Sequence, residues 1–572
     1  MPLISPAPVL REPSTFDFEP QRGWVLQARS PRTIVLVLTA YLLLTANWPL
    51  WMELAQLGRA PSLYVPNIFG MAWLLGGGLV ALLSLTAWSR FMKPLWMLLV
   101  LVAAVVQHYM ATYRMVMDPS MALNVLQTDP GEARDLLSLT MLVRVLLVAV
   151  PAIGWLWWVP VIPQRPLQAL WRNAVLFVAA VAVTVGGGML MSRQLAPLMR
   201  NQPHLRYMMN PLASVYSFSM AATRPLLHRS RKLVPISGGA ALGASYAAQT
   251  RPRLLMLVVG ETARADHFGL NGYARDTTPA LKARGVVSFG DVRSCGTNTA
   301  ASVPCMFSHL GKQDFEARKN DYENLLDVLQ AAGLAVLWID NQSGCKGVCD
   351  RVPHAEANDA AQIAANPSLC SGDECLDDIM LKGLDERIAA LPPERVARGV
   401  VLVMHQIGSH GPAYFRRSPP NGKPFQPECR TVTLADCAHS ELINAYDNSI
   451  AHTDRVLGDA IDWLKARRSR FDTGMLYLSD HGESLGEYGL FLHGVPYSFA
   501  PDVQKQVPFV VWLDGGLGER TGVPDACLRK SVDTPLTHDN LYHTVMGLVD
   551  VKSPTYAPTL DAFQACRHSV AG

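Results

Sequence analysis

Five stretches within the first 191 residues are each long and apolar enough to cross a bilayer, and no other feature narrows the fold as sharply. A spanning helix needs about 20 mostly apolar residues, and the candidates cover residues 33–54, 63–88, 91–113, 137–162 and 169–191. The first comes after a polar lead of some thirty residues, exceeds a secretory h-region and precedes four more, so it reads as an uncleaved anchor. Charged residues make up only 17% of the chain, against about 25% in ordinary soluble proteins. A formal charge of +3, from 50 basic and 47 acidic residues, is too small for a nucleic-acid footprint, and no nucleic-acid partner is expected.

Short-loop Lys and Arg set the orientation. Arg11, Arg22, Arg29 and Arg32 precede the first span, Arg90 and Lys93 lie after the second, and Arg165 and Arg172 after the fourth. The alternate loops hold Arg59, then Arg114 and Arg134 diluted by Asp118, Asp129, Glu132 and Asp135. The N-terminus is therefore predicted inside and, because five is odd, everything after Met191 outside. All ten cysteines fall on that outer side, between Cys295 and Cys566. Disulfides persist in oxidising compartments such as the bacterial periplasm. They form close sequential pairs, Cys295/Cys305, Cys345/Cys349, Cys370/Cys375 and Cys429/Cys437, which leaves Cys527/Cys566. Two of the pairs fit loose zinc spacing, but none is C-x2-C and no histidine recurs at finger spacing. Bridges are favoured, while their connectivity stays open at this level.

Composition changes along the chain mark four regions: a cytoplasmic lead (1–32), a five-helix membrane domain (33–192), an interfacial helix with a linker (193–250) and an external catalytic domain (251–572). The interfacial helix is expected over 201–220 and a Gly, Ala and Ser-rich linker over 237–250. Between the third and fourth spans, Asp129-Pro130 with Glu132 reads as a capping box, which leaves Asn124 and Thr128 free to line a polar pocket near a lipid headgroup.

In the external region, short apolar runs at 254–259, 335–339, 399–404, 475–478 and 508–513 alternate with helical periodicity, as at 322–332 and 445–465. That alternation predicts an α/β domain on a largely parallel sheet, with ligands beyond the carboxyl ends of the strands. Just beyond those ends lie Glu261; Asp340, Asn341 and Lys346; His405 and His410; Asp480 and His481. A single Asp or His there is a turn former, His405 and His410 could each satisfy backbone groups, and Lys346 could be a solvated loop residue. Four strands delivering such groups to one edge point instead to a metal or phosphate site. Carboxylates with imidazoles suit zinc, and no phosphate-binding P-loop is present. Metal-assisted displacement at a phosphate or sulfate ester, with an activated hydroxyl, is the expected chemistry.

Several blocks closely resemble the phosphoethanolamine transferases, the family that includes the lipid A-modifying enzymes and the mobile colistin-resistance proteins. They are Glu261-Thr-Ala-Arg-Ala-Asp266-His267 with Asn271-Gly-Tyr273; Ser294-Cys295-Gly-Thr297-Asn-Thr299 through Pro304-Cys305; Ser343-Gly-Cys345-Lys346-Gly-Val-Cys349; His405 to His410-Gly-Pro412; Asp480-His481-Gly482-Glu483 with His493-Gly494; and the Asn124 to Pro130 loop. The resemblance implies an inner-membrane, multi-pass enzyme with a periplasmic alkaline phosphatase or sulfatase-like domain. Such an enzyme moves phosphoethanolamine from phosphatidylethanolamine to lipid A and gives resistance to cationic peptides such as polymyxin. By position, Glu261, Thr299, Asp480 and His481 would bind Zn2+, with Thr299 the nucleophile. Lys346, His405, His410 and His493 would contact donor or acceptor phosphate or a second zinc, and Asn124, Thr128 and Glu132 would face the headgroup. A monomer is expected. A membrane-anchored phosphodiesterase or sulfatase-type hydrolase, a core-sugar or other periplasmic glycan acceptor, and a non-catalytic receptor are the competing readings. The complete candidate ligand set disfavours the receptor, and Cys295-Gly-Thr-Asn does not resemble a sulfatase modification motif.

Overall fold

The computed structural model describes residues 27–570, excepting 58–60, 89, 129–132, 135 and 229–230. The membrane part comprises α1 (Pro31–Leu44), α2 (Trp48–Leu57), α3 (Pro61–Leu85), α4 (Lys93–Tyr113), α5 (Pro119–Gln127), α6 (Leu139–Trp158) and α7 (Pro166–Leu190). Four of these helices, α3, α4, α6 and α7, contain unbroken apolar stretches long enough to cross a membrane, and α1 with α2 form a fifth candidate bent by 49°. On α7, Leu167, Trp171, Val178 and Leu190 are exposed, as lipid-facing side chains are.

The expected continuous first span is thus two helices. Pro49 lacks the N–H that would continue the ladder, and its ring collides with the carbonyl four residues back. The break is buried, and Asn47 repairs it. Its Nδ2 donates to Leu42 O at 2.9 Å and to Asn210 O at 2.6 Å, while its Oδ1 accepts from Asn210 N at 2.9 Å. Asn210 Nδ2 donates in turn to Ala103 O of α4 at 2.7 Å. Non-helical backbone at this depth is tolerated because protein groups satisfy it.

The helix expected over 201–220 is also interrupted. A 3-10 turn at Pro203–Met208 separates α8 (Ser192–Asn201) from α9 (Leu212–His228), because Pro203 and Pro211 cannot donate to a continuing ladder. The expected linker at 237–250 is fastened to the C-terminal domain. Ser245 N and Oγ donate to Asp550 Oδ2, Tyr246 OH donates to Val549 O at 2.7 Å, and the buried Arg253 guanidinium lies 4.4 Å from the Tyr246 ring centroid.

The C-terminal domain is built on an eight-stranded sheet: β1 (Arg253–Gly260), β2 (Val287–Arg293), β3 (Ala335–Asp340), β4 (His354–Glu356), β5 (Gly399–His405), β6 (Asp472–Ser479), β7 (Gln506–Leu513) and β8 (Leu536–Thr537). Their order is β8-β2-β7-β6-β1-β5-β3-β4, and only β7 runs against its neighbours. Every residue of β1 is buried. Leu255, Leu257 and Val259 pack into one core and Leu254, Met256 and Val258 into the other, as in a sheet covered on both faces. The ten cysteines form five bridges, Cys295–Cys305, Cys345–Cys349, Cys370–Cys375, Cys429–Cys437 and Cys527–Cys566.

Candidate metal and phosphoryl-transfer site

The central parallel strands β6, β1, β5 and β3 end in register, so the residues after them meet at one edge. Glu261 comes directly after β1, Asp480 and His481 directly after β6, and all three are fully buried. His481 Nε2 lies 3.3 Å from Glu261 Oε1 and 3.3 Å from Asp480 Oδ2. Thr299 opens α10 (Thr299–Met306), which Asn298 caps by accepting from Ala301 N at 3.0 Å. Its Oγ1 donates to Glu261 Oε2 at 3.1 Å. A helix N-terminus also favours the negative charge that a phosphate brings.

The loop before Thr299 and the start of α10 are fastened to the end of β6 twice. Ser302 Oγ accepts from Gly296 N at 2.9 Å and donates to Asp480 O at 2.6 Å. His538 accepts from Cys295 N at 3.1 Å through Nδ1, and its Nε2–H donates to Ser479 O at 3.0 Å. The Cys295–Cys305 bridge closes the same loop. Thr262, a β-branched residue held at φ 60°, donates its N–H to Asp480 Oδ1 and its hydroxyl to Glu261 Oε1. That left-handed conformation costs about 1–3 kcal/mol and concentrates at functional sites.

Burial shapes the electrostatics of the cluster. It pushes Asp480 up to about 6, helped by the Glu261 charge. Burial also opposes a charged His481, yet Asp480 and Glu261 outweigh it and raise the imidazole to about 9. Glu261 is buried too, but His481 holds its carboxyl well below the usual range. Among the described residues, Asp480 Oδ2 and His481 Nε2 have no hydrogen-bond partner although both are buried. One ligand atom from each of Glu261, Asp480 and His481 lies within 4.8 Å of the others. Two carboxylates, an imidazole and the neighbouring hydroxyl are donors that fit zinc.

A second group flanks the first. The His493 ring centroid is 4.4 Å from that of His481, and His410 is 5.3 Å from His493. His493 Nδ1 lies 3.3 Å from Glu483 Oε1, whose other oxygen accepts from Tyr414 OH at 2.9 Å. His405, at the end of β5, pairs through Nδ1 with Asp340 Oδ2 at 3.1 Å, and Trp338 Nε1 donates to that same oxygen. Lys346 Nζ donates to Ser343 O and Oγ at 2.8 and 2.7 Å. Asn124 and Thr128 belong to α5 and its C-cap, and Thr128 Oγ1 donates to Asn124 O at 2.9 Å. From α5, Met121 covers Gly494, where a Cβ would sit 2.3 Å from the Met121 methyl, so this helix closes over the His493 side of the site. Glu132 lies outside the described residues.

Sequence reasoning missed Gln342, whose Nε2 donates to Glu261 Oε2 at 2.9 Å, along with Thr262, Ser302, Glu483 and His538. Gln342 lies just past the end of β3 and Glu483 just past Asp480-His481-Gly482, so the strand-edge rule could have found both. His538 carries no local signal, because only the fold brings it to Ser479.

Comparisons with known proteins cover both halves of the chain. Residues 253–551 match the sulfatase family, and residues 77–226 match the family described as phosphoethanolamine transferase EptA/EptB. The chain is 38% identical over 496 residues to phosphoethanolamine transferase EptA of Escherichia coli strain K12, covering 85% of this chain and 87% of that protein. It is 37% identical over 543 residues to phosphatidylethanolamine transferase Mcr-1 of Escherichia coli, covering 92% and 96% respectively. The integral membrane protein lipooligosaccharide phosphoethanolamine transferase A (EptA) from Neisseria meningitidis superposes with a TM-score of 0.87 at 30% identity, over 95% of this chain and 100% of that one. A multi-pass apolar domain, a sulfatase-like domain and this extent of identity together mean that the chain belongs to the phosphoethanolamine transferase family and is an enzyme of that class.

Proposed function

We propose that the protein transfers phosphoethanolamine from phosphatidylethanolamine to a phosphate of lipid A through a covalent intermediate on Thr299. The observation that carries this reading is the Thr299 hydroxyl, at a helix N-terminus and 3.1 Å from a buried cluster of two carboxylates and an imidazole. In the first step Thr299 Oγ1 attacks the donor phosphorus, the P–O bond to diacylglycerol breaks, and the threonine proton ends on the departing alkoxide. In the second step a lipid A phosphate oxygen attacks the phosphorus on Thr299 and forms a P–O–P linkage, the P–Oγ1 bond breaks, and the proton the acceptor phosphate gives up restores the threonine hydroxyl. Two bulky lipids thereby use one site in turn. A zinc ion held by Glu261, Thr299, Asp480 and His481 would supply the positive charge that lowers the hydroxyl's pKa.

The protein's own groups do the rest. Glu261 and Gln342 orient the hydroxyl, and the N-terminus of α10 receives the phosphate charge. His410 and His493 meet phosphate oxygens from the opposite side or hold a second zinc, with Glu483 and Tyr414 fixing the His493 ring. Lys346 and His405 contact donor or acceptor phosphate or a second zinc, and Asn124, Thr128 and Glu132 are assigned to the headgroup. The bent α1–α2 pair counts as one of five spans, with the N-terminus cytoplasmic and the catalytic domain of a monomer in the periplasm. Adding an amine to a lipid phosphate weakens cationic-peptide binding at the membrane surface, and polymyxin resistance results. The test is mass spectrometry of lipid A from cells with and without the protein, paired with intact-protein mass after exposure to donor alone. A phosphoethanolamine increment on both is expected. Ethanolamine phosphate released to water with unmodified lipid A would make the enzyme a hydrolase and overturn the proposal.

A further inference from the structure

The carboxylate of Asp377 is buried, and none of the steps at Thr299 uses it. It opens a 3-10 turn (Asp377–Leu381) just after the hairpin closed by the Cys370–Cys375 bridge. Its Oδ1 accepts from Asn341 Nδ2 and Ile407 N, and its Oδ2 from Gly408 N, each at 2.9 Å. Burying a carboxylate is costly unless donors meet its lone pairs in good geometry. Here the donors come from two loops, and both loops end on Glu261.

The first loop reaches the backbone of Glu261. Gly408 is held at φ 49°, and a Cβ on it would lie 2.6 Å from Glu261 O and 3.0 Å from Glu261 N. Ser409 N then donates to Glu261 O at 3.0 Å. The second loop reaches the side chain. Asn341 N donates to His405 O at 2.9 Å, which joins the two loops, and the next residue, Gln342, donates to Glu261 Oε2 at 2.9 Å. Asp377 therefore braces Glu261 through its backbone and through its carboxylate. The neighbouring Asp378 is bonded differently: it pairs with His452 at 3.0 Å and Arg455 at 3.4 Å on the helix His439–Lys465.

We propose that Asp377 is a positioning residue for the reaction. By tying Asn341 to Ile407 and Gly408, it holds Glu261 where its carboxylate meets both the Thr299 hydroxyl and the zinc ion. The inference rests on the function proposed above, which gives Glu261 those two roles. Groups behind a metal ligand fix its orientation, and losing one costs about 10–100-fold in metal affinity or activity.

The experiment compares full-length wild type with Asp377→Asn and Asp378→Asn in detergent. Asparagine has nearly the same volume and keeps one oxygen for Ile407 and Asn341, but it sets an amide nitrogen against the Gly408 N–H. Adduct formation on Thr299 at saturating donor should slow about tenfold with donor KM unchanged, and chelator competition should show zinc held about tenfold more weakly. Asp378→Asn should melt at a lower temperature yet keep the wild-type adduct rate and zinc affinity. Gly408→Ala leaves Asp377 in place and presses on Glu261 directly, so it should reproduce both losses, and it carries the test if Asp377→Asn does not fold. Wild-type rate and zinc affinity in folded Asp377→Asn, the same result in Gly408→Ala, or equal losses in Asp378→Asn would each overturn the positioning role. A wild-type enzyme that forms no adduct would instead refute the covalent mechanism, and the zinc affinities alone would then decide the role of Asp377.

Discussion

Gln342 Nε2 and Thr299 Oγ1 converge on the same oxygen of Glu261, donating to Oε2 at 2.9 and 3.1 Å. The amide fixes the carboxylate rotamer that the hydroxyl must meet, so it acts on the nucleophile through Glu261. Gln342→Leu should slow adduct formation on Thr299 about tenfold, the worth of one hydrogen bond to a charged group, while acceptor KM stays constant. Thr299→Ala should abolish both half-reactions, and Thr299→Ser should retain part of them because a hydroxyl remains. Stopped-time intact-protein mass spectrometry measures each; undiminished transfer by Thr299→Ala would require a direct or water-activated mechanism.

Purified protein should contain at least one zinc per chain by elemental analysis. Removing Asp480 and His481 together takes away two of the four proposed ligands, so the Asp480→Ala, His481→Ala variant should retain under about a tenth of it. Circular dichroism should report the same fold, since β6 and its partners lie behind the site. Full zinc occupancy in the double variant would rule out this ligand set.

Acid should destabilise the C-terminal domain through His538. Burial pushes its imidazole down to about 3 in the folded protein, against about 6.5 when unfolded. Between those values the unfolded chain binds the extra proton, so stability is full above about 6.5 and is lost as the pH falls towards 3. The loss should reach about 3 kcal/mol by pH 4. Thermal unfolding monitored from pH 7 to pH 4 should have a shallower pH slope in His538→Asn than in wild type. Identical slopes would mean that His538 does not carry the effect.

Loop charges and the placement of all ten cysteines after the last apolar stretch predict the topology. Alkaline phosphatase fused at the C-terminus should be active and green fluorescent protein fused there should be dark, because the first needs an oxidising exterior compartment. The opposite pattern would overturn both the orientation and the compartment.

The sequence by itself determined what depends on local runs and short spacings: the apolar stretches, the alternation of strands and helices, the sequential cysteine pairs and the chemical groups at the end of each strand. It could place Glu261, Asp480 and His481 at one edge because parallel strands end in register. Tertiary structure alone decided what depends on groups distant in the chain. Asn210 lies far from Asn47 yet supplies the hydrogen bonds that let the first span break at Pro49. His538 joins Cys295 to Ser479 although nothing near it in sequence marks it. Lys346, read as a contact for phosphate, has its Nζ donating to Ser343 O and Oγ. A hydrogen bond needs two partners within about 3 Å, and only the fold determines which distant residues come that close.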